Sequence, residues 1–94
     1  MAGERRTVKV RVTGRVQGVY FRGWTKSEAE RLGLGGWVRN EYDGSVAALI
    51  SGPHAVVEEM LQLLHRGPLD ARVAEVSVEE TDPAEAPTGF SILG

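Results

Sequence analysis

TVKVRVTGRVQGVYFRGWTKSEAERL, residues 7–32, changes its hydrophobic period once, and that change decides the fold. Over 7–13 the apolar residues alternate: Val8, Val10 and Val12 share one face, and Lys9 and Arg11 take the other. That is the pattern of a half-buried strand. Residues 14–19 break it with Gly14 and Gly18. From Phe21 onward the spacing is helical: Phe21, Trp24, Thr25, Ala29 and Leu32 fall on one side of the wheel, which predicts an amphipathic helix over 21–32. Glu28 lies near the middle of that stripe, where the wheel gives it no purpose.

Outward from this unit, Gly33, Gly35 and Gly36 end the helix, since glycine adopts left-handed conformations at little cost. A second strand follows over 37–42 and a third over 45–51, joined by Asp43-Gly44. This dipeptide predicts a type I′ hairpin turn, which needs positive φ at both central residues. Gly52-Pro53 opens a second helix, with Pro53 suited to its first position. Val56, Val57, Met60, Leu61 and Leu64 give that helix its apolar stripe, and Gly67-Pro68 stops it. Residues 71–80 read as a fourth strand, with Ala74, Val76 and Val78 opposite Glu75, Ser77 and Glu79. Two prolines mark 81–87 as a loop, and Phe90 and Ile92 alternate in a short last strand. Residues 1–6 read as a disordered start, which leaves 7–94 as the domain.

The order is β-α-β-β-α-β with a terminal strand added. A chain of 94 residues holds one core, so both helices must share one face of a single sheet. The expected fold class is therefore α+β: a ferredoxin-like βαββαβ sandwich, two helices packed on one face of a mostly antiparallel sheet. That fold serves many unrelated functions, so function has to come from the site.

Composition narrows the field. Hydrophobic residues are 41% and charged residues 26%, the proportions of an ordinary globular domain. No apolar run reaches the ~18–20 residues of a membrane span, and no apolar segment follows the charged start as in a secretory signal. Cysteine is absent, which removes thiolate nucleophiles, disulfides and Cys-based zinc sites, and fits a cytoplasmic protein. The net charge of −2 argues against a general nucleic-acid binder. His54 and His65 stand eleven residues apart at the two ends of one helix, without the spacing of a zinc pair, and read as solvated termini. Phe21, Trp24 and Trp37 read as core rather than as a base-stacking platform.

The informative stretch is Gly14-Arg15-Val16-Gln17-Gly18-Val19-Tyr20-Phe21-Arg22. A strand, a glycine-containing loop and a helix start make an anion cradle, because the first N–H groups of a helix are unpaired and carry the positive end of its dipole. Arg22 falls in the first turn, where its charge opposes the dipole and no local acid compensates it. An anion between Arg22 and the loop would resolve this, and a guanidinium fork can hold two phosphate oxygens. The same residues also suit a tight turn followed by a solvated arginine, and the pattern alone does not choose. Asn40 is unusual inside a strand, and its carboxamide could orient a water. Taken by position only, a strand end preparing the Asp43-Gly44 turn accounts for it better.

Gly14 to Arg22, followed by Gly36-Trp37-Val38-Arg39-Asn40, resembles the signature of the acylphosphatases. The resemblance extends to Thr25, Ala29, Leu32-Gly33-Leu34, Asp43-Gly44, Leu64-His65-Arg66-Gly67-Pro68 and Phe90-Ser91-Ile92, nearly the whole of 8–93. It implies the sandwich already derived and hydrolysis of a carboxyl–phosphate anhydride to a carboxylate and inorganic phosphate. It further implies that Arg15, Val16, Gln17, Gly18, Val19, Tyr20 and Arg22 bind phosphate, and that Arg22 and Asn40 are the catalytic residues. Arg22 would clamp the phosphate and Asn40 would position the attacking water. Tyr20 stands where the family varies and could touch the acyl group. No metal or cofactor is called for, the substrate is a small acyl phosphate, and a monomer without nucleic-acid or membrane partners is expected. Two other classes stay open on this reading: a ferredoxin-like module that binds RNA or a small molecule without catalysis, and an acylphosphatase-like domain serving a larger carbamoyl phosphate transferase. The acidic balance and the lack of a further domain weigh against them.

Overall fold

The computed structural model describes residues 4–83 and 86–94. The elements run β1 Arg5–Arg15, α1 Phe21–Arg31, β2 Gly35–Asn40, β3 Val46–Pro53, α2 His54–Arg66, β4 Arg72–Glu80 and β5 Phe90–Ile92. They form one five-stranded sheet in the order β4-β1-β3-β2-β5. Only the β2–β5 pair is parallel. Each helix joins strands that are not neighbours, which is the split βαβ arrangement of a ferredoxin-like α+β sandwich. Helix α1 lies over β2 and β5, and α2 lies over β1, β3 and β4.

The buried layer is built from alternate strand residues. Val8, Val10 and Val12 of β1, Val46, Ala48 and Ile50 of β3 and Val38 of β2 meet Phe21 and Ala29 of α1 and Val57, Met60, Leu61 and Leu64 of α2. A side-chain period of two in the strands and a stripe in each helix bring these together. Trp24 packs at the edge of this core, its ring edge-on to Phe21 with centroids 5.5 Å apart. Trp37 is not a core residue as expected. In β2 the inward place belongs to Val38, so Trp37 lies on the other face, with the Arg39 guanidinium 4.8 Å above its ring.

The termini and turns depart from expectation in four places, each with a local cause. Arg5 and Arg6, assigned to the disordered start, belong to β1, where they pair with Pro53 and Gly52. Arg6 is fixed by ion pairs to Glu58 at 2.6 Å and Glu80 at 2.7 Å, and Glu4 C=O accepts from His54 N–H at 3.0 Å; residues 1–3 of the expected frayed segment lie outside the described residues. Pro53 is the residue before α2 and not its first turn, with an extended ψ of 143°. The β2–β3 connection is not a type I′ turn, because Asp43 does not take positive φ. Gly44 N–H donates to Glu41 C=O at 3.2 Å and Gly44 alone turns left-handed at φ 94°. The Asp43 carboxylate instead accepts from Ser45 N–H at 2.9 Å and Ser45 Oγ at 2.6 Å. In β4 the alternation slips: Thr13 pairs with Glu75 and Gly14 with Val73, so Ala74 bulges outward and Val73 and Val76 pack inward.

Of the three glycines expected to end α1, only Gly33 does so. It takes φ 74°, and Leu34 N–H reaches Ala29 C=O at 2.8 Å, closing a Schellman motif. Gly35 and Gly36 are strand residues. A β-carbon on Gly36 would collide with the Leu49 carbonyl oxygen, and one on Gly35 would meet the Pro87 oxygen. The second contact arises because β4 and β5 lie at opposite edges, so their connection must cross the sheet. It does so at the Thr7–Ser51–Gly35 row: Thr81 N–H donates to Thr7 C=O at 3.0 Å, and the buried Thr7 and Ser51 hydroxyls bond each other at 2.7 Å. Glu28, unexplained by the wheel, binds Arg31 at 2.6 Å along the helix.

Candidate active site

The loop between β1 and α1 is shaped by buried anchors. Val16 and Val19 point into the core, so this part of the loop presents backbone rather than side chain. Gly18 between them takes φ 75°. The Gln17 carboxamide donates to Glu41 C=O at 2.8 Å and Ser45 C=O at 2.9 Å, tying the loop to the β2–β3 hairpin. The carboxamide N–H donors are therefore committed to the scaffold, and the main-chain N–H is the donor left to meet an anion. Tyr20 precedes α1 in the left-handed region, at φ 66° and ψ 25°, and no side chain caps the helix. The first turn of α1 contains no acidic residue. Its leading N–H groups and the Arg22 guanidinium thus make a concentrated positive site.

Arg22 and Asn40 come to one cleft beside this loop, although they stand eighteen positions apart in the chain. Both line a cleft of about 260 Å³ together with Val16, Gly18, Tyr20, Phe21, Gly23 and Ile92. Asn40 is brought there by its place at the end of β2, where it pairs with Val46. Its side-chain oxygen Oδ1 is buried and has no hydrogen-bond partner among the described residues. A buried amide oxygen without a partner costs ~1–3 kcal/mol, so the site stores a demand for a donor such as water. Arg22 Nη1 donates to the Gly94 main-chain oxygen at 3.0 Å. That bond holds the guanidinium in place, and four of its five N–H donors remain.

Of the seven expected phosphate ligands, Arg15, Gln17 and Val19 do not line this cleft, and Arg15 lies furthest from the expectation because its side chain neither packs in the core nor clips the hairpin. As the last residue of β1 it pairs with Arg72, and it lines a neighbouring cleft with Gly18, Val19 and Asp70. Two residues escaped the sequence reading. Ile92 supplies an apolar wall and Gly94 orients Arg22; both come from the far end of the chain, and the alternation of Phe90 and Ile92 signals only the strand that carries Ile92. His54 and His65 are exposed at the ends of α2 as expected, with His65 Nδ1 2.9 Å from Leu61 C=O. Among the described residues, no three His, Asp or Glu side chains gather as metal ligands would.

The family model for acylphosphatase matches residues 8–92. An acylphosphatase of Rhizobium meliloti (strain 1021) is 61% identical over 92 residues, which cover 98% of this chain and 97% of that protein. The crystal structure of an acylphosphatase from Bacillus subtilis matches with a TM-score of 0.91 at 34% identity, covering 97% of this chain and 100% of the other. The crystal structure of full-length HypF, in a phosphate- and nucleotide-bound form, contains the same fold over 12% of its length, with a TM-score of 0.85 and 22% identity.

Proposed function

The chain belongs to the acylphosphatase family, whose members hydrolyse acyl phosphates, and on that premise we propose which residues do the work and how. The phosphoryl group sits at the start of α1, held by N–H groups of the 15–20 loop and by Arg22. A water molecule sits on Asn40. It attacks phosphorus, the bond from phosphorus to the acyl oxygen breaks, and a carboxylate leaves. A phosphoryl oxygen takes the proton of the attacking water. The carboxylate is a good leaving group, so no general acid is required, and positioning with charge stabilisation carries the rate. The cleft lining supports this: among the described residues it includes no histidine and no carboxylate side chain. The donors that hold the ground state also meet the charge of the transition state.

The observation that carries this reading is that Arg22 and Asn40, whose buried Oδ1 has no partner among the described residues, line one cleft at a helix start without an acid. The same proposal takes hydrolysis to be independent of metal and the protein to act as a cytoplasmic monomer. Support for the first is the lining of the cleft: Arg22 and backbone N–H groups repel a cation, and the single Asn40 oxygen has no carboxylate or imidazole beside it among the described residues to complete a metal site. The test is hydrolysis of acetyl phosphate in a chelator, with inorganic phosphate as inhibitor and a phosphate monoester as comparison. Full activity, competitive inhibition and little monoester cleavage are expected. Activity lost in chelator and restored by a divalent metal would overturn the metal-free mechanism.

A further inference from the structure

Two local penalties stand side by side at the mouth of the cleft. Among the described residues, Tyr20 is the only non-glycine with positive φ. A bulky side chain in that region is strained by ~1–2 kcal/mol. Three residues on, Gly23 occupies the first turn of α1, where glycine is ~0.5–1 kcal/mol worse than alanine. One feature explains both. The Tyr20 ring lies against the Gly23 backbone: a β-carbon there would collide with Cε1 and Cζ and come within 2.8 Å of Oη. The left-handed backbone at 20 aims the ring along the helix start, and the glycine lets it lie there. Yet the ring stays 73% exposed, so burial is not what holds it in place. An aromatic face kept at the cleft mouth at the expense of two backbone penalties is available to something outside the chain.

The cleft divides by chemistry. Gly18, Arg22 and Asn40 offer polar groups to a phosphoryl group, while Tyr20, Gly23 and Ile92 form an apolar remainder. We propose that the Tyr20 ring, seated on Gly23, is a platform for the acyl group and makes this enzyme prefer acyl phosphates whose acyl group is flat and aromatic. The proposal rests on placing the phosphoryl group at Arg22 as above. The acyl carbon is then bonded to an oxygen at that site, and an aromatic ring on it reaches the cleft mouth. Aromatic pairing of this kind corresponds to roughly a 3- to 10-fold gain in binding. It acts on the ground state and the transition state alike, so it falls in KM.

The test compares kcat/KM for benzoyl phosphate and acetyl phosphate in the unaltered protein, Tyr20→Phe, Tyr20→Gly and Gly23→Ala. Intrinsic reactivity cancels when each ratio is divided by that of the unaltered protein. Tyr20→Phe keeps the ratio, because the ring and not the hydroxyl forms the platform. Tyr20→Gly deletes the ring, and Gly23→Ala displaces it while improving the helix, so neither change should unfold the protein. In both, the benzoyl-to-acetyl ratio is expected to fall roughly 3- to 10-fold, with the change in KM. A ratio within twofold of the unaltered protein in both variants overturns the proposal. Hydrolysis of neither compound by the unaltered protein defeats instead the site assignment on which the proposal rests.

Discussion

Replacing Asn40 with alanine separates catalysis from folding because the two effects have opposite signs. In the folded chain, Oδ1 of Asn40 is buried with no partner among the described residues, a burden of ~1–3 kcal/mol. Asn40→Ala removes that burden and gives up some packing, about 1 kcal/mol for the atoms lost. The net change in stability is within ~1–2 kcal/mol of zero. In a domain of this size ~1 kcal/mol moves the melting temperature by about 4–8 °C. Turnover behaves differently. If the carboxamide holds the nucleophile, its loss removes an interaction that matters in the transition state, with a fall in kcat of ~10²–10³. The inhibition constant for phosphate, which reports the cradle and Arg22, should change by no more than a few-fold. Asn40→Asp should fail as well, since a carboxylate beside the phosphoryl group repels it. The assay is kcat on acetyl phosphate, inhibition by phosphate and a thermal melt, all on one preparation. A clear loss of melting temperature with normal kcat would refute the reasoning and make Asn40 a strand-end residue preparing the turn.

Gly36→Ala should destabilise by at least ~2 kcal/mol, because the new methyl meets the Leu49 carbonyl at φ 140°. Gly44→Ala, where φ is 94° but the space is open, should cost about 1 kcal/mol, and equal losses in denaturant titrations would contradict the steric argument. Gln17→Ala removes the side-chain clip and leaves the carbonyls of Glu41 and Ser45 with their backbone donors alone, so it should lower the melt modestly and weaken phosphate inhibition together; a fall in only one of them would separate the clip from the loop. Asp43 is held below the usual carboxylate range first by its hydrogen bonds from Ser45, and Glu80 by its hydrogen bond from Arg6. Groups depressed in the folded state stabilise above the unfolded pKa, about 4 for these acids, and lose that contribution as pH falls through their folded values. The melting temperature should therefore be level from about pH 7 to 5 and fall below about 4, with a shallower fall in the Asp43→Asn, Glu80→Gln double variant; an unchanged acid slope would count against this account.

The elements that were legible in the sequence are those whose packing follows one period. The 7–13 alternation and the helical stripe from Phe21 specify β1 and α1, and these position the loop. The features that were not legible depend on what a residue meets far along the chain. Gly35 and Gly36 follow a helix and so look like caps; what requires them is Pro87 in one case and Leu49 in the other. Ala74 alternates correctly with its neighbours, and only its pairing opposite Thr13 and Gly14 turns it outward. Trp37 is apolar by type, yet the period of two gives the core to Val38. The site divides in the same way. Arg22 and Asn40 stand out locally, one opposing a helix dipole and the other disfavoured in a strand. The hydrogen bond from Arg22 to Gly94, 72 residues away, has no local trace, and neither does the clip that Gln17 makes to the hairpin.

The central claim is that Arg22 and the loop before it read the phosphoryl group, and calorimetric titration of inorganic phosphate into the unaltered protein and into Arg22→Ala tests it most directly. Among the described residues Arg22 makes one exposed hydrogen bond, to a main-chain oxygen, so its loss should move stability by no more than about 1 kcal/mol. Removing a charged partner from a bound phosphate typically costs ~2–5 kcal/mol, a fall in affinity of at least roughly 30-fold. Arg22→Lys should recover little of it, because a point charge does not reproduce the fork. Phosphate binding should be nearly lost in Arg22→Ala while the thermal melt stays within a few degrees. Phosphate affinity unchanged in a folded Arg22→Ala protein would contradict the claim.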